Sequence, residues 1–338
     1  MNFFNKKSFF NSFVFFLNIF NSILILTCLV FYNYYLSSFS TFSFLTFFFP
    51  FFSLFNLFFL IYWILKLDLK LLLPLIVFLI ISKHSISFYK LSKPNPDLSG
   101  LHIMSYNVRL FNHYKWIDND NIPFEIEEFL IKKKPDVLAI QEYHDDYKYL
   151  FKKFKHKHVI LSGDNVGQAI YTNKKMINKG VVNHLDFGNI AIYIDFLQST
   201  DTIRFYNTHF ESFKVDLIAL KADVESAKEI VFKTKKAYLI QKNQSSALIK
   251  HMLLSPYPVV LAADLNNTQY SFFYKQFKDI FNDGFVSNGA GFGATYDFRY
   301  MPIRIDYLFN SKSIKANNFI VYPHVFSDHK AISIFLDI

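Results

Sequence analysis

The chain has 338 residues, of which 52% are hydrophobic and 20% aromatic, and a formal net charge of +9 at pH 7. The charge is uneven, because residues 1–96 hold seven lysines and one acidic residue, whereas the remainder holds 29 basic and 26 acidic residues. This near balance argues against the dense basic patch of a nucleic-acid groove. The single cysteine, Cys28, excludes an intrachain disulfide and a cysteine-rich zinc site.

Two uncharged apolar runs open the chain, Phe9–Tyr32 with 24 residues and Phe44–Leu65 with 22. At ~1.5 Å per residue, a helix of either length exceeds the ~30 Å hydrocarbon core of a bilayer. A third run, Leu71–Ser82, has 12 residues between two lysines, and it spans only if the bilayer thins and the lysines reach the interface. We predict a transmembrane segment over residues 1–90, with helices at about 9–32, 44–65 and 69–88.

The lysines beside these runs predict the orientation of the segment. Lys6 and Lys7 precede the first run, Lys66 and Lys70 follow the second, and the loop between the runs is uncharged. The positive-inside rule therefore assigns both lysine-bearing ends to the cytoplasm. Three spans, which we favour, put the rest of the chain outside the cytoplasm at a plasma (inner) membrane, whereas two spans leave it inside. A cleaved signal peptide is disfavoured, because the first run is too long, lacks a small-residue cleavage site and is followed by another apolar run.

Residues 91–100 are predicted to be a linker, since "SKPNPDLSG" (92–100) is rich in proline and small polar residues. A soluble domain is expected over 101–338. Its apolar patterns predict helices over Phe124–Lys134 and, as one helix or two, over 215–253. Strands are predicted at Leu101–Val108, 135–142, Val159–Ser162, Ala169–Thr172, Ile190–Phe196, Ile203–Thr208, 258–267, Ile303–Phe309 and Ala331–Leu336. Because several strands are separated only by turns, we expect an α/β sandwich of two sheets and not a purely parallel sheet.

Several predicted strands end in unusual polar residues. They are Asn107, Glu142, His209, Asp264, Asn266, Asp306, Asp328 and His329. Sheets in α/β proteins carry functional side chains at strand ends and in the loops that follow. Carboxylate and amide oxygens suit Mg²⁺, and histidine can contact a phosphate oxygen or exchange a proton. The set therefore indicates a site for a hard cation with acid–base groups beside it.

Each of these residues also has a structural interpretation. An Asn or Glu after a strand is usually a turn or cap residue. His209 could be a hydrogen-bonded core histidine, Asp306 could pair with Arg304 or with a backbone amide, and Asp328 could cap a turn. Other catalytic motifs are missing, since the sequence has no Gly-x-Ser-x-Gly elbow and no Walker loop.

Six short motifs, taken in order, resemble the endonuclease/exonuclease/phosphatase superfamily. They are "SYNVR" (105–109), "IQE" (140–142), "NTHFES" (207–212), "ADLNN" (263–267), "RIDYLF" (304–309) and "SDHK" (327–330). The superfamily includes pancreatic-type deoxyribonucleases, abasic-site endonucleases, neutral sphingomyelinases and inositol-polyphosphate 5-phosphatases. Any single motif is weak, but six in the right order are specific, and the resemblance covers essentially Leu101–Ile338.

The resemblance implies a four-layer α/β sandwich, with two mixed sheets face to face and helices outside, preceded here by the transmembrane segment. It also implies metal-assisted attack of water on a phosphate ester. By matching motif, Glu142 is the principal ligand of Mg²⁺, for which Mn²⁺ can substitute. Asn107 lies beside Glu142, and Asp328 supports the metal or its waters.

The remaining roles follow from the same motifs. The resemblance implies that Asp264 orients or deprotonates the attacking water and that Asn266 holds the nucleophile or a phosphate oxygen. It implies that His209 and His329 contact the phosphate, and that Asp306 hydrogen-bonds His329 and fixes its tautomer.

Two positions depart from the usual pattern of the family. Ala263 stands where a glycine commonly precedes the Asp-Leu-Asn motif, a small change that should leave the strand end intact. His209 stands where abasic-site endonucleases have tyrosine, which points to the deoxyribonuclease, sphingomyelinase and 5-phosphatase branches. The chain also lacks the long basic insertions expected of a duplex-binding nuclease.

We expect a membrane-anchored phosphoesterase whose partners are the lipid bilayer and a phosphate-ester substrate, either a lipid or another ester near the membrane. A membrane-anchored endonuclease or exonuclease acting on DNA or RNA is the alternative. A non-catalytic membrane scaffold is least favoured, because all the expected catalytic residues are present. The stretch 291–306, with Tyr296, Phe298 and Tyr300, is either a mobile aromatic rim of the site or a packed loop.

Overall fold

The computed structural model describes residues 2–85, 89–92, 95–184, 188–213, 224–298, 301–323 and 326–338. Within these ranges the helices are α1 Asn2–Asn33, α2 Phe49–Lys66, α3 Leu72–Ser85, α4 Ile122–Lys133, α5 Val224–Leu253, α6 Phe272–Ile280 and α7 Gly284–Asn288. The strands are β1 Tyr89–Lys90, β2 Leu101–Asn107, β3 Val137–His144, β4 His156–Gly163, β5 Val166–Thr172, β6 Met176–His184, β7 Gly188–Gln198, β8 Asp201–His209, β9 Val259–Asp264, β10 Asn282–Asp283, β11 Gly291–Phe292, β12 Tyr296–Phe298, β13 Met301–Ile303, β14 Asp306–Asn310, β15 Lys315–Val321 and β16 Ile332–Asp337.

The first three helices pack together as an N-terminal bundle. Two helical stretches in the described chain, Phe9–Asn33 and Ser37–Lys66, are long and apolar enough to cross a membrane, and Leu69–Ser82 is a shorter apolar one. The second stretch begins with a 3₁₀ helix over Ser37–Phe48, and α2 follows with Pro50 in its first turn, where a missing N–H costs nothing. Helix α3 ends at Ser85, so the last residues of the third predicted helix lie outside the described residues.

Large apolar side chains cover the outside of this bundle. More than a third of the surface of each is exposed in Phe13, Phe16, Phe20, Ile23, Leu54, Phe58, Ile61, Ile76 and Leu79. A soluble monomer rarely exposes so continuous an apolar surface, because water contact costs free energy in proportion to apolar area. The outside of the bundle is therefore a continuous apolar surface.

Two six-stranded mixed sheets form the rest of the molecule. The first has the order β15-β16-β2-β3-β5-β4, and the second has the order β10-β14-β9-β8-β7-β6. Each sheet contains one parallel pair, β2 with β3 and β8 with β9, and all other neighbours are antiparallel. The parallel pairs lie in the sheet interiors, where both faces are covered, and β2 and β9 are accordingly buried along their whole length.

The hydrophobic core lies between the two sheets. Ile192, Ile194 and Phe196 alternate along β7 and pack into one buried cluster with residues such as Ile103 and Ile334 of the first sheet. This period of two is what a strand requires to fill one face of a sandwich.

Helices cover the outer faces of both sheets. Helix α4 packs Ile126 and Leu130 against the first sheet, and α5 and α6 pack against the second. The four layers confirm the predicted sandwich of two mixed sheets flanked by helices. Helix α4 also agrees with the predicted helix Phe124–Lys134 to within two residues at each end.

The residues predicted to form a linker are attached to the sandwich. Tyr89 and Lys90 pair with Phe292 and Gly291 in a two-stranded sheet, and the Ser92 hydroxyl donates to the Gly289 carbonyl. Farther along, the amide of Asn95 donates to the Asn317 carbonyl and its own carbonyl accepts from Asn318. The described part of this stretch is therefore extended but not free of the sandwich.

Some elements were not predicted, or have different limits. Strands β6 and β15 and helix α6 were missed, since lysine, asparagine and glutamine interrupt their apolar patterns. The predicted strand Ile303–Phe309 is split, because β13 ends at Ile303 and β14 begins at Asp306. The predicted helix 215–253 is observed from Val224, and residues 214–223 lie outside the described chain.

Candidate active site

The eight predicted site residues lie along one edge of the two facing sheets. Parallel β2 and β3 carry Asn107 and Glu142 near their carboxyl ends, and parallel β8 and β9 end at His209 and Asp264. Antiparallel β14 begins at Asp306, which pairs in register with Asp264. Because parallel strands finish at the same edge, the folding pattern itself gathers these polar side chains.

Asn107 connects the two sheets. Its Nδ2 donates to Oδ2 of Asp264 at 2.9 Å and to Oε1 of Glu142 at 3.1 Å. Glu142 has a positive φ of 48°, and the pairing of β3 with β5 shifts register between Ile140 and Tyr143. A bulge of this kind re-aims a side chain at the end of a strand, at a cost in backbone strain. Asp264 is fully buried, whereas Glu142 is partly exposed at the mouth of the site.

His209 faces the same two carboxylates. Its Nε2 lies 3.5 Å from Oδ2 of Asp264 and 3.8 Å from Oε1 of Glu142. About a quarter of its side chain is exposed, so it is not a core histidine. An anionic group entering the site would meet His209 next to both carboxylates.

His329 and Asp306 form a buried pair. Nδ1 of His329 lies 2.9 Å from Oδ2 and 3.2 Å from Oδ1 of Asp306, and its Nε2 lies 3.8 Å from Asp264. Burial lowers the pKa of His329, but the charges of Asp306, Asp264 and Asp328 outweigh it and raise the pKa to about 10. Burial raises the pKa of Asp306, and His329 opposes that rise. The pair therefore retains a proton at neutral pH, with Nε2 facing the site.

Arg304 does not pair with Asp306. Its Nη1 contacts both carboxylate oxygens of Asp283, at 2.7 and 2.9 Å, and both residues are buried. The structural interpretation of Asp306 as the partner of Arg304 is therefore wrong, because the backbone between β13 and β14 directs the two side chains to different partners.

Asn266 and Asp328 have contacts of their own. The Asn266 side chain donates to the Phe210 carbonyl at 2.8 Å, and its backbone N–H donates to Asp264 at 3.0 Å. The carboxylate of Asp328 lies 3.3 Å from Nε of Arg109, a cation at the rim of the site. The roles expected of Asn266 and Asp328 in catalysis and metal binding stay predictions.

A buried polar layer behind the site was missed by the sequence reasoning. Gln141 donates from Nε2 to Asn207 at 2.7 Å and to Ser105 at 3.0 Å, and Asn207 donates in turn to the carbonyls of Ile140 and Ala169. These contacts join the two sheets directly beneath Glu142. A polar residue inside an otherwise apolar strand was the available signal for Gln141, which precedes Glu142 in "IQE".

The donor atoms at the mouth of the site suit a hard divalent cation. Glu142 and Asp264 offer carboxylate oxygens, which Mg²⁺ and Mn²⁺ prefer. Oδ1 of Asn107 instead accepts from the Arg109 backbone N–H, while its Nδ2 faces the two carboxylates, so metal binding by Asn107 stays a prediction. Asp264, Asp306 and His329 also bring ligand atoms within 4.8 Å of one another. That trio is almost fully buried and Asp306 is already bound to His329, so partly exposed Glu142 is the more accessible candidate for binding a metal.

Comparisons with known proteins agree with this fold. A sequence model of the Endonuclease/Exonuclease/phosphatase family matches residues 104–329, and a model of a domain of unknown function (DUF8431) matches residues 11–88. A comparison with curated proteins found no match.

Three solved structures resemble the chain at 15% sequence identity, a level that shows the fold alone. An endonuclease/exonuclease/phosphatase from Bacteroides vulgatus has a TM-score of 0.55, with 71% of this chain and 99% of that chain covered. The human Nocturnin catalytic domain with bound sulfate has a TM-score of 0.52, with 73% and 99% covered. D. rerio TDP2 complexed with single strand DNA product also has 0.52, with 70% and 99% covered.

The family match includes all eight predicted site residues and covers more than half of the chain. The chain therefore belongs to the endonuclease/exonuclease/phosphatase family, whose members are hydrolases acting on phosphate esters.

Proposed function

We propose that this chain is a membrane-anchored, Mg²⁺-dependent phosphoesterase that acts on a phosphate ester at the membrane surface. The observation that carries the proposal is the convergence of Glu142, Asp264, His209 and the Asp306–His329 pair at one sheet edge, next to an N-terminal bundle with an apolar exterior. We divide the chain into a membrane segment (1–90), a connecting stretch (91–100) and a catalytic domain (101–338). Both boundaries of this proposed division lie between the two ranges that the sequence models match.

Attack on a phosphate ester is opposed by its negative charge, and the residues of the site offset that charge. A divalent ion bound by Glu142 and Asn107 would supply electrostatic stabilisation of the phosphoryl oxygens. Asp264, held in place by the amide of Asn107, is positioned to orient and deprotonate a water molecule.

The two histidines complete the proposed mechanism. His329, protonated on both nitrogens, donates from Nε2 toward a phosphoryl oxygen while Asp306 accepts from its Nδ1 and fixes the orientation of the ring. His209 faces the same space from the second sheet and donates to another phosphoryl oxygen. Asn266 and Asp328 are proposed to hold the nucleophile and the metal-bound waters, respectively.

Anchoring in a membrane accounts for the bundle better than the two alternatives. A helix in the core of a soluble protein is mostly buried, but only 28% of the most apolar 18-residue part of each long helical stretch is buried here. A signal sequence that is removed by cleavage would not form part of the folded core. Helix α1 instead packs Ile25 and Cys28 against Phe49 of α2 and Tyr270 of the catalytic domain. Lipid is therefore the proposed environment of the exposed face.

The packing of α3 supports an extracytoplasmic catalytic domain. Ile81, near the end of α3, clusters with Cys28 near the end of α1 and with Phe49 at the start of α2. The three helices thus alternate in direction, and the chain leaves α3 at the end of the bundle opposite Lys66 and Lys70. Under the positive-inside rule the lysine-bearing end is cytoplasmic, so the catalytic domain lies on the outer side of a plasma (inner) membrane.

The proposal is tested with the full chain reconstituted in lipid nanodiscs. Wild type should hydrolyse bis(4-nitrophenyl) phosphate when Mg²⁺ or Mn²⁺ is present, and Asp264→Asn should not. A panel of phospholipid and sphingolipid substrates in the same nanodiscs then identifies the ester. Metal-independent hydrolysis, or equal turnover by Asp264→Asn, would contradict the proposed mechanism.

A membrane-anchored nuclease is the second candidate. The observation that favours it is the similarity of the fold to that of D. rerio TDP2 complexed with single strand DNA product. The nearly equal numbers of basic and acidic residues after residue 96 argue against strong electrostatic binding of nucleic acid. Nicking of supercoiled plasmid by wild type and not by Asp264→Asn, without hydrolysis of any lipid, would select the nuclease.

A further inference from the structure

The 3₁₀ segment Ser37–Phe48, which joins α1 and α2, has two different sides. Phe39 is 58% exposed and Phe42 is 53% exposed, whereas Phe47 is only 5% exposed. Phe47 packs in one buried cluster with Ile303, Ile305 and other residues of the catalytic domain, and Phe44 packs against the same cluster. One side of the segment therefore faces outward, and the other is part of the core of the enzyme.

The inward side reaches the chain that follows His209. The Phe213 ring lies 5.5 Å from that of Phe47 and 6.3 Å from that of Phe44, centroid to centroid. Phe213 is four residues beyond His209, the last residue of β8. Between them, Gln241 of α5 donates to the Glu211 carbonyl. The path of the backbone after His209 is thus held by α5 on one side and by Phe44 and Phe47 on the other.

The same cluster reaches the chain that precedes Asp306. Ile305 comes directly before Asp306, and it is buried in the cluster with Phe47. The backbone N–H groups of Ile305 and Asp306 both donate to Oγ1 of Thr295 at 3.1 Å. A shift of Ile305 would therefore move Asp306, which holds His329.

Tyr296 connects the cluster to His329 itself. Tyr296 packs against the cluster, and its ring centroid lies 4.9 Å from that of His329. The two residues also form an isolated β-bridge. Tyr296 also pairs in register with Ile303, which is a member of the cluster. The cluster that contains Phe47 therefore reaches His329 through Ile303 and Tyr296.

We propose that the 37–48 segment is a structural part of the active site and that Phe47 is a positioning residue for His209 and the Asp306–His329 pair. This inference rests on the proposed function, because it assumes that these residues act on a phosphate ester. Glu142 and Asn107 belong to the other sheet, which contributes no strand to the cluster around Phe47. Loss of the Phe47 contacts should therefore affect the phosphoryl-contacting residues and leave the metal-binding group in place.

The test compares two phenylalanines of the same segment in the full chain in nanodiscs, with bis(4-nitrophenyl) phosphate as a soluble substrate. Phe47→Ala should lower kcat about 10- to 100-fold, since small misplacements of catalytic groups cost up to about 100-fold. The Mg²⁺ concentration that gives half-maximal activity should not change. The matched control Phe42→Ala, at an exposed position, should keep wild-type kcat. The conservative variant Phe47→Leu, which retains an apolar side chain, should recover most of the turnover.

The outcomes separate this inference from the proposed function. Wild-type turnover in all variants would overturn the inference and leave the proposed function intact. A wild-type chain without metal-dependent hydrolysis would overturn both. If Phe47→Ala lowers kcat together with the Mg²⁺ response and the thermal unfolding temperature, the residue has only a general structural role, and the inference fails. A lower kcat with an unchanged metal response, recovered in Phe47→Leu, would support it.

Discussion

The substitution Asp306→Asn removes the charge that keeps His329 protonated. Asparagine has the same size as aspartate, and its amide N–H can donate to Nδ1, which lies 2.9 Å from the carboxylate in the wild type. A neutral His329 ring would then keep its single N–H on Nε2. Without the carboxylate, the burial of His329 lowers its pKa with less opposition, so the ring loses its positive charge. His329 would then donate to a phosphoryl oxygen as a neutral group.

The expected loss follows from the strength of that hydrogen bond. A hydrogen bond to a charged group contributes about 1.5–3 kcal/mol, and a neutral one about 0.5–1.5 kcal/mol. A difference of about 1.4 kcal/mol corresponds to about tenfold in rate, and poorer orientation of the ring adds to it, since partners that orient a ligand are worth about 10- to 100-fold. We expect kcat on bis(4-nitrophenyl) phosphate to fall about 10- to 100-fold at pH 7.

A matched control separates charge at this position from charge in general. Asp297 is exposed and pairs loosely with Lys330 at 3.4 Å, so Asp297→Asn should leave kcat unchanged. Wild-type turnover in Asp306→Asn would refute the reasoning, because the pair would then contribute neither charge nor orientation. An equal loss in both variants would show that the effect is long-range and not specific to His329.

Three further results are expected. Glu142→Gln and Asp264→Asn should each lower turnover about 100-fold, which is the effect of losing one preorganised catalytic group. EDTA should abolish turnover until Mg²⁺ or Mn²⁺ is added back. Both results are measured by the release of nitrophenolate. Burial lowers the pKa of His102 to about 4, so between pH 6.5 and 4 the unfolded chain, whose pKa is near 6.5, binds a proton that the native chain does not. The free energy of unfolding should therefore fall by up to ~3 kcal/mol as the pH drops from 6.5 to 4. A pH-independent unfolding temperature in the wild type, or an unchanged pH dependence in His102→Gln, would contradict this. Asp283→Ala should destabilise the fold by about 3–5 kcal/mol, because it leaves the buried guanidinium of Arg304 without a counter-charge. Arg304→Met should destabilise it less, because Asp283 then still accepts from the Tyr274 hydroxyl and from backbone N–H groups. The unfolding temperatures of the two variants test this order.

The sequence predicted the parts of this molecule in which a local pattern has a direct structural consequence. Polar residues at the ends of apolar strands, such as Asn107 and Asp264, meet because parallel strands of one sheet end together. The limits of helix α4 were predicted to within two residues because its acidic first turn, its basic last turn and its apolar spacing all indicate the same helix.

What the sequence could not predict depends on contacts between distant parts of the chain. The pairing of Arg304 with Asp283 was missed, since the neighbour two residues away, Asp306, is the obvious partner until β13 and β14 are seen to be separate strands. Strand β6 was missed because Lys179 and Gly180 interrupt an apolar pattern that only its neighbour β7 completes. The contact of Phe47 with Phe213 has no local signature at all.

The position of β16 has a consequence for how the protein is made. This strand, Ile332–Asp337, lies inside the first sheet between β15 and β2, so the Ser333 hydroxyl meets the His102 ring across 231 positions of sequence. The sheet cannot close, and His329 cannot reach Asp306, before residues 332–337 have been synthesised. The N-terminal bundle, by contrast, consists mostly of contacts close in sequence and can form early. During translation the bundle would thus be folded long before the active site is assembled.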